Sequence, residues 1–162
     1  MTAIACVDQN FGIGFRGEML FSIPADLRFF RDTTLGKVVI MGHGTLKSLP
    51  GGRPLKDREN IVLSRDANLV VDGAKVCHSV EDLTALTADY PAENLFVIGG
   101  EQIYTRLLEH CQVAYITRVA ASRPADKFFP RVDEMADWVL EEIMPGGGHQ
   151  GIYYSFCVYS RR

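Results

Sequence analysis

Asp26 is the residue whose type and position most clearly suit chemistry, because it lies in the first turn of a predicted helix among apolar neighbours. Pro24 suits the first helical position, where its missing N–H costs nothing, so Asp26 becomes the third helical residue, near the positive end of the helix dipole. At helical spacing Asp26 shares a face with Phe29, Phe30 and Thr33, which predicts that the acid faces aromatic rings rather than water.

Asp26 has a second interpretation as a residue that only stabilises the helix start. A capping box needs Ser or Thr three positions before the acid, but Ile23 stands there and Ser22 is one residue too early. A surface acid favoured by the helix dipole remains open, and this stretch alone does not decide between that role and a functional one.

The composition bounds the class of protein. The 162 residues fit one domain over residues 1–162, and the contents of 47% hydrophobic and 23% charged residues are ordinary for a globular chain. The net charge of −3 offers no basic excess for nucleic acid or a membrane surface. Without an apolar run of ~18 residues or a charged signal-peptide start, we expect a cytoplasmic protein with no membrane or nucleic-acid partner.

The four cysteines favour buried thiols over a metal site. They are widely spaced, with no C-x-x-C pair and no His at ligand spacing. Cys6, Cys77 and Cys157 lie in apolar, strand-like runs, so no metal is predicted.

Apolar runs alternate with helical patterns, which predicts an α/β protein with a parallel sheet and helices on both faces. The predicted strands cover residues 3–7, 37–41, 60–64, 74–77, 94–98 and 112–119, and the final two, 138–143 and 152–160, form an antiparallel edge hairpin around a mobile segment 145–151. The predicted helices run from Pro24 to a left-handed stop at Gly36, from Gly42 to Pro50, from a capping box at Ser79 to about residue 88, and from Gly100 with Ile103, Tyr104, Leu107 and Leu108 on the apolar side.

Glycines punctuate the segment 8–22, where Gly12, Gly14 and Gly17 match G-x-G-x-x-G after a strand. A dinucleotide-binding fingerprint also needs a helix that starts at the motif and an acid that ends the second strand, and both are missing. We therefore expect a flexible lid with glycine hinges.

Two other glycine-rich turns suit phosphate better. Residues 42–45 and 99–102 each join the carboxyl end of a buried strand to a helix N-terminus, where free N–H groups attract anions. For either turn alone, glycines that merely relieve a tight connection remain the simpler explanation.

Seven segments, in order and spacing over nearly the whole chain, together resemble the dihydrofolate reductase family: Gly12-Ile-Gly-x-x-Gly17, Ile23-Pro-Ala-Asp-Leu-x-x-Phe-x-x-x-Thr34, Val39-Ile-Met-Gly42 with Thr45, Arg58-x-Asn-Ile-Val-Leu-Ser-Arg65, Val97-Ile-Gly-Gly-x-x-Ile-Tyr104, Tyr115-Ile-Thr117 and Asp126-Lys-Phe-Phe-Pro130. The resemblance implies a single domain with an eight-stranded, mostly parallel mixed sheet, an antiparallel C-terminal edge strand and four helices on both faces. It also implies a monomer that uses NADPH to reduce 7,8-dihydrofolate to tetrahydrofolate for one-carbon and thymidylate metabolism, and that binds antifolate inhibitors.

The resemblance assigns site residues by position. Asp26 is expected to hold the pterin and Thr117 to hydrogen-bond near it and fix it, with Met19 and Phe21 completing the catalytic group. The expected substrate contacts are Cys6, Leu27, Phe30, Leu49, Leu55, Arg58, Ile98 and Tyr104. The expected NADPH contacts are Ala5, Ile13, Gly14, Gly42, His43, Gly44, Thr45, Leu63, Ser64, Arg65, His78, Gly99, Gly100, Glu101, Gln102 and Ile103, with a cis peptide at Gly99-Gly100. Asp126 is expected to tether the lid.

Three departures from the family pattern stand out. Leu20-Phe21 replaces the common Pro-Trp, so the ring has no N–H for a water. His43 replaces a common Arg near the cofactor's 2′-phosphate, which leaves Arg65 as the permanent cation beside two histidines, and we expect NADPH to be preferred over NADH more strongly at pH 6 than at pH 8. Ala125 and Lys127 flank Asp126, where Gly and Thr are common.

Several alternatives stay open on sequence alone. Arg58 and Asp126 are also consistent with ordinary loop residues, His43 with a helix start and His78 with an exposed strand end. The riboflavin-pathway reductase resembles this fold and uses NADPH, but it should lack counterparts of Asp26 and Arg58. A binding protein that has lost catalysis is supported only by the altered Leu20-Phe21 pair.

Overall fold

The computed structural model describes residues 1–162 as a layered α/β structure. Its strands are β1 (Thr2–Val7), β2 (Gly12–Phe15), β3 (Glu18–Met19), β4 (Val38–Gly42), β5 (Glu59–Leu63), β6 (Lys75–Cys77), β7 (Leu95–Gly99), β8 (Val113–Val119), β9 (Lys127–Phe128), β10 (Trp138–His149) and β11 (Ile152–Arg161). Its helices are α1 (Pro24–Thr34), α2 (His43–Ser48), α3 (Val80–Leu86) and α4 (Glu101–Leu107). None of these helices is long and apolar enough to cross a bilayer.

The main sheet has eight strands in the order β10-β11-β8-β1-β7-β4-β5-β6. The strands from β8 to β6 pair in parallel, whereas β11 runs antiparallel to both β8 and β10. The predicted mixed sheet with an antiparallel C-terminal strand is confirmed, and β10 lies outside β11 at the edge. All five residues of β4 are buried, as expected for a parallel strand covered on both faces.

The caps of α1 and α3 follow the sequence closely. Pro24 occupies the start of α1 without a side-chain cap, and Gly36 follows the helix at φ +73°, in the left-handed conformation predicted for it. At α3 the Ser79 hydroxyl accepts the Asp82 N–H at 3.0 Å. The Asp82 carboxylate accepts from the His78 N–H at 3.4 Å rather than from Ser79, so only half of the predicted capping box forms.

The core lies between the sheet and its helices. Val7, Ile40 and Val97, from three adjacent strands, are fully buried, and α4 adds Tyr104 and Leu107 to the same cluster. This cluster fixes the carboxyl ends of the strands, from which the turns at residues 42–45 and 99–102 project.

Two segments predicted as loops are strands, so these predictions were wrong. In the lid (residues 8–22), β2 and β3 form a hairpin that joins β9 in a separate three-stranded sheet. Most of the segment 145–151 belongs to β10, which continues as far as His149. Gly146 is required there because a Cβ atom would collide with the ring of Tyr154 on β11.

Candidate active site

Asp26 is fixed from the sheet by two neighbouring side chains. The Thr117 hydroxyl, buried on β8, donates to Asp26 Oδ1 at 2.6 Å. Cys6 on β1 is the register partner of Thr117, so both side chains lie on the same face of the sheet. The Cys6 thiol is a second, weaker neighbour of the Asp26 carboxylate and acts to lower its pKa. The position of the acid is therefore set by two adjacent strands as well as by α1.

Burial controls the protonation of this group. It raises the pKa of Asp26, while the hydrogen bonds from Thr117 and Cys6 act in the opposite direction. Burial and the neighbouring carboxylate together raise the pKa of the Cys6 thiol, which therefore stays a protonated donor. A desolvated carboxyl held by a hydroxyl donor suits the binding of a group that presents N–H bonds.

The apolar residues expected at the substrate remain partly exposed. On α1, Leu27 is 43% exposed and Phe30 is half-buried, and Met19 in the lid is 66% exposed. Leu49, Leu55 and Ile98 are half-buried and pack together on a buried cluster that includes Met41. Apolar side chains that stay partly exposed near a half-buried acid are typical of a ligand cleft.

The predicted shared face of α1 divides in two. Phe29 stacks on Phe156 with ring centroids 4.9 Å apart, and it lines a separate cavity of about 290 Å³ together with Thr33 and Tyr115. Asp26 does not line this cavity. The helix thus packs one half of the face onto β8 and β11, which orients the other half.

Arg58 keeps part of its guanidinium group available. Its Nε donates to the Lys56 carbonyl at 2.9 Å, and its Nη1 donates to the Thr34 hydroxyl at the end of α1 at 3.2 Å. These bonds fix the plane of the fork and leave Nη2 without a protein partner, which suits a carboxylate.

The two glycine-rich turns predicted for phosphate lie against each other. Thr45 Oγ1 would be 3.5 Å and 3.4 Å from Cβ atoms placed on Gly99 and Gly100, and a Cβ on Gly42 would be 3.0 Å from Ile103. The Gly99-Gly100 peptide is cis, as expected. The starts of α2 and α4 therefore present their N–H groups side by side.

Some residues expected at the ligands are buried or engaged. Leu63, Ile103 and Tyr104 are 3%, 7% and 4% exposed, so their side chains contribute from beneath the surface. The Tyr104 hydroxyl donates to the Ile4 carbonyl at 2.6 Å. The Glu101 carboxylate accepts the Phe128 N–H at 3.0 Å, which links α4 to β9.

The basic side chains expected near a 2′-phosphate lie where β5 and β6 end and α2 begins. His78 Nδ1 is 3.0 Å from the Ser64 carbonyl, so it is the donor and Nε2 remains free. Arg65 is exposed, and His43 is half-buried as the first residue of α2.

Asp126 makes the contacts of a lid tether. Its carboxylate accepts the Arg16 N–H at 3.0 Å, and its own N–H donates to the Gly14 carbonyl at 2.9 Å. Gly12 approaches Ala125 so closely that an added Cβ would lie 2.7 Å from the Ala125 Cβ. Gly12 is therefore required by packing.

Two residues at the lid had no predicted role. Asp8 is 1% exposed and accepts backbone N–H groups from both lid and neighbouring loop, and Arg123 contacts both Leu20 and Phe21. An isolated acid after a strand and an isolated loop Arg carry no signal in residue spacing, because their partners are set only when the loops meet.

Comparisons with known proteins agree with this geometry. A family model described as dihydrofolate reductase matches residues 1–161. A dihydrofolate reductase from Neisseria meningitidis is 38% identical over 161 residues, covering 99% of this chain and 98% of that protein. One from Bacillus subtilis is 32% identical over 161 residues, covering 98% and 93%.

A solved structure shows the same fold. Dihydrofolate reductase from Enterococcus faecalis, complexed with NADP(H) and RAB-propyl, superimposes with a TM-score of 0.89 at 30% identity, covering 99% of this chain and 95% of that chain. With the family matched over almost every residue, the chain belongs to the dihydrofolate reductase family.

Proposed function

We propose that this protein, as one catalytic domain over residues 1–162, is an NADPH-dependent oxidoreductase that reduces 7,8-dihydrofolate to 5,6,7,8-tetrahydrofolate. The observation that carries the proposal is the Asp26 carboxylate, desolvated at the start of α1 and held by Thr117 at 2.6 Å. The reaction adds a hydride to C6 and a proton to N5 of the pterin, and its product serves one-carbon and thymidylate metabolism.

Asp26 has the chemistry to orient the pterin. A carboxylate accepts two parallel N–H bonds, so it can take both the ring N–H and the 2-amino group of the substrate. Thr117 fixes the carboxylate in that orientation, with the Cys6 thiol beside it. Phe21 has no N–H donor and so cannot orient the water that protonates N5, whereas Asp26 and the substrate itself have the acceptors to do so.

The rest of the substrate fits the partly exposed apolar side chains and Arg58. Leu27 and Phe30 on α1 would face Leu49 and Leu55 across the aromatic rings of the substrate, burying apolar surface. The free Nη2 of Arg58 would pair with the α-carboxylate of the glutamate tail.

The cofactor site fits NADPH in this chain's own geometry. The adjacent N-termini of α2 and α4 supply N–H groups for a pyrophosphate, and the space beside Gly44 is open, with nothing within 4 Å of a Cβ placed there. His43, Arg65 and His78 would meet the 2′-phosphate, and Met19 would exclude water from the nicotinamide. When bound, NADPH supplies the hydride.

The proposal extends to a cytoplasmic monomer that antifolates inhibit by occupying the site at Asp26. The exposed sheet edge supports the monomer, because β10 carries two bulges and the exposed acids Glu141 and Glu142, features that discourage edge pairing. Light scattering coupled to size-exclusion chromatography measures the mass directly.

The test is NADPH oxidation at 340 nm with dihydrofolate, with the pyrimidine substrate of the riboflavin-pathway reductase, and with no substrate. We expect turnover with dihydrofolate alone. Turnover only with the pyrimidine would support the rival reductase, and binding without any turnover would support a protein that has lost catalysis.

Asp26→Asn sharpens the test. We expect a loss of about 100-fold or more at pH 7, with partial recovery at low pH where the substrate protonates itself. Asp32→Asn, in the exposed part of the same helix, is the matched control and should stay within twofold of wild type. Near-normal activity of Asp26→Asn at pH 7 would contradict the assigned role.

A further inference from the structure

Both ends of the lid converge on one residue of the neighbouring loop, Arg123. At the N-terminal end of the lid, the Arg123 N–H donates to Asp8 Oδ2 at 3.1 Å. At the C-terminal end, Arg123 Nη1 donates to the Leu20 carbonyl at 2.5 Å, and its guanidinium carbon lies 4.4 Å from the centroid of the Phe21 ring. One loop residue therefore bridges both ends of the lid.

The N-terminal end is held by backbone and carboxylate contacts that do not involve the Arg123 side chain. Asp8 Oδ1 accepts the N–H groups of Asn10 and Gly12, both at 2.8 Å. The Gln9 N–H also donates to the Ala121 carbonyl at 2.9 Å. The Arg123 guanidinium is thus free to act on the C-terminal end, where Leu20-Phe21 leads from Met19 to α1.

Phe21 belongs to an apolar cluster that both Arg123 and a neighbour of Asp26 contact. Its side chain is 7% exposed in a small cluster with Leu20 and Ile23, and Cys6, which lies beside Asp26, packs against this cluster. An indole ring at this position could be fixed by a hydrogen bond from its N–H, but a phenyl ring has no group that forms a hydrogen bond. A cation over the ring face supplies an orienting contact of another kind.

We propose that Arg123 is a positioning residue, which holds the Leu20-Phe21 segment in place and thereby sets Met19 and Phe21 over the site at Asp26. The contacts of Arg123 with Leu20 and Phe21 form a second attachment of the lid, called here the Arg123 latch. It is separate from the Asp126 tether, which binds the lid at the Arg16 N–H. Its effect on catalysis rests on the proposed function, whereas its effect on the lid does not.

The experiment combines hydrogen exchange with single-turnover kinetics on Arg123→Met, which keeps the apolar stem but removes the charge and the donors. We expect amide exchange in the peptide covering residues 9–22 to be about tenfold faster, the order expected from losing one charged hydrogen bond and one cation–π contact. Hydride transfer should slow about tenfold, because Met19 and Phe21 lose their fixed position over the site at Asp26.

Two further variants make the result specific. In Arg16→Met the lost guanidinium also lies over a lid ring, 4.9 Å from the centroid of Phe15, and we expect exchange within twofold of wild type. Arg123→Lys keeps the charge with a single ammonium donor, and exchange should be about threefold faster than in wild type.

Exchange within twofold of wild type in folded Arg123→Met would overturn the proposal, as would equal acceleration in Arg16→Met. If Arg123→Met fails to fold, unchanged exchange in Arg123→Lys is the overturning result. If wild type does not reduce dihydrofolate but Arg123→Met still shows faster amide exchange in the lid, the Arg123 latch is supported and only the proposed function is refuted.

Discussion

Replacing Gly12 with Ala should force the lid away from its neighbouring loop. The new Cβ would lie 2.7 Å from the Ala125 Cβ and 3.1 Å from both Asp8 Oδ1 and Leu20 Cδ1, where ordinary contacts begin at 3.4 Å. Asp8 resists the movement because its carboxylate holds the backbone on both sides of the gap. Overpacking of this kind costs about 1–3 kcal/mol, so we expect a loss of about 2 kcal/mol in the free energy of unfolding and about 4–8 °C in Tm.

Ala125→Gly provides the rescue that tests this reasoning. Removing the Ala125 methyl group clears the shortest contact, so the double variant should recover more than half of the loss. A four-protein cycle, measured by urea unfolding, should give a coupling energy of about 1 kcal/mol or more. Activity should follow stability, since the same contact aligns Gly14 with Asp126.

Gly44→Ala is the matched control, because nothing lies within 4 Å of a Cβ there and the residue is inside α2. In the ligand-free protein it should raise the unfolding free energy by about 0.5–1 kcal/mol. A coupling energy within about 0.5 kcal/mol of zero between positions 12 and 125 would refute the packing explanation.

Three further predictions concern the charged groups of the site. Burial raises the pKa of Asp26 in the folded protein, so its contribution to stability is fully present below the unfolded pKa near 3.8 and is lost as pH rises through the higher folded pKa. Ligand-free Asp26→Asn should therefore unfold at a higher urea concentration than wild type at pH 7 and should lose that advantage near pH 4. A lower urea midpoint than wild type at pH 7 would contradict this. Thr117→Val removes a donor to Asp26, so kcat/KM should fall about tenfold to 100-fold and the pH profile of kcat/KM should move to higher pH. Cys6→Ala should give a smaller movement in the same direction. An unchanged pH profile in both variants would exclude a role for these side chains in setting the protonation of Asp26. Histidine side chains generally gain charge between pH 8 and pH 6, so wild type should discriminate against NADH more strongly at pH 6 than at pH 8. The double variant with His43→Gln and His78→Gln should show no such difference. Equal discrimination by wild type at both pH values would exclude the histidines as the source of cofactor preference.

The parts of the fold that the sequence predicted are those set by local patterns. The β4 segment is a short apolar run, Gly36 follows a helical pattern, and Ser79 stands three residues before an acid, so burial, helix end and cap could each be inferred. Of the strands missed, β2 and the outer part of β10 are rich in glycine, and Gly146 is set by the ring of Tyr154 from another strand rather than by strand propensity.

The same distinction holds for the candidate site. The Thr117–Asp26 contact was expected from motif positions that the family resemblance supplied, and the observed distance of 2.6 Å agrees with it. Asp8 and Arg123 could not be predicted, because their contacts exist only where the lid meets residues 120–126. The assignment of individual residues to substrate and cofactor stays a prediction for the experiments above.

The place of β11 in the sheet has a consequence for synthesis of the protein. Thr117 lies on β8, whose outer partner is β11, with Phe156 directly opposite Thr117. Until residues 152–161 leave the ribosome, β8 is an unpaired edge, although every other strand that supports Asp26 has already been made. The nascent chain therefore exposes an unpaired strand edge until β11 has been made, and the pocket for the carboxylate is completed only when β11 pairs with β8.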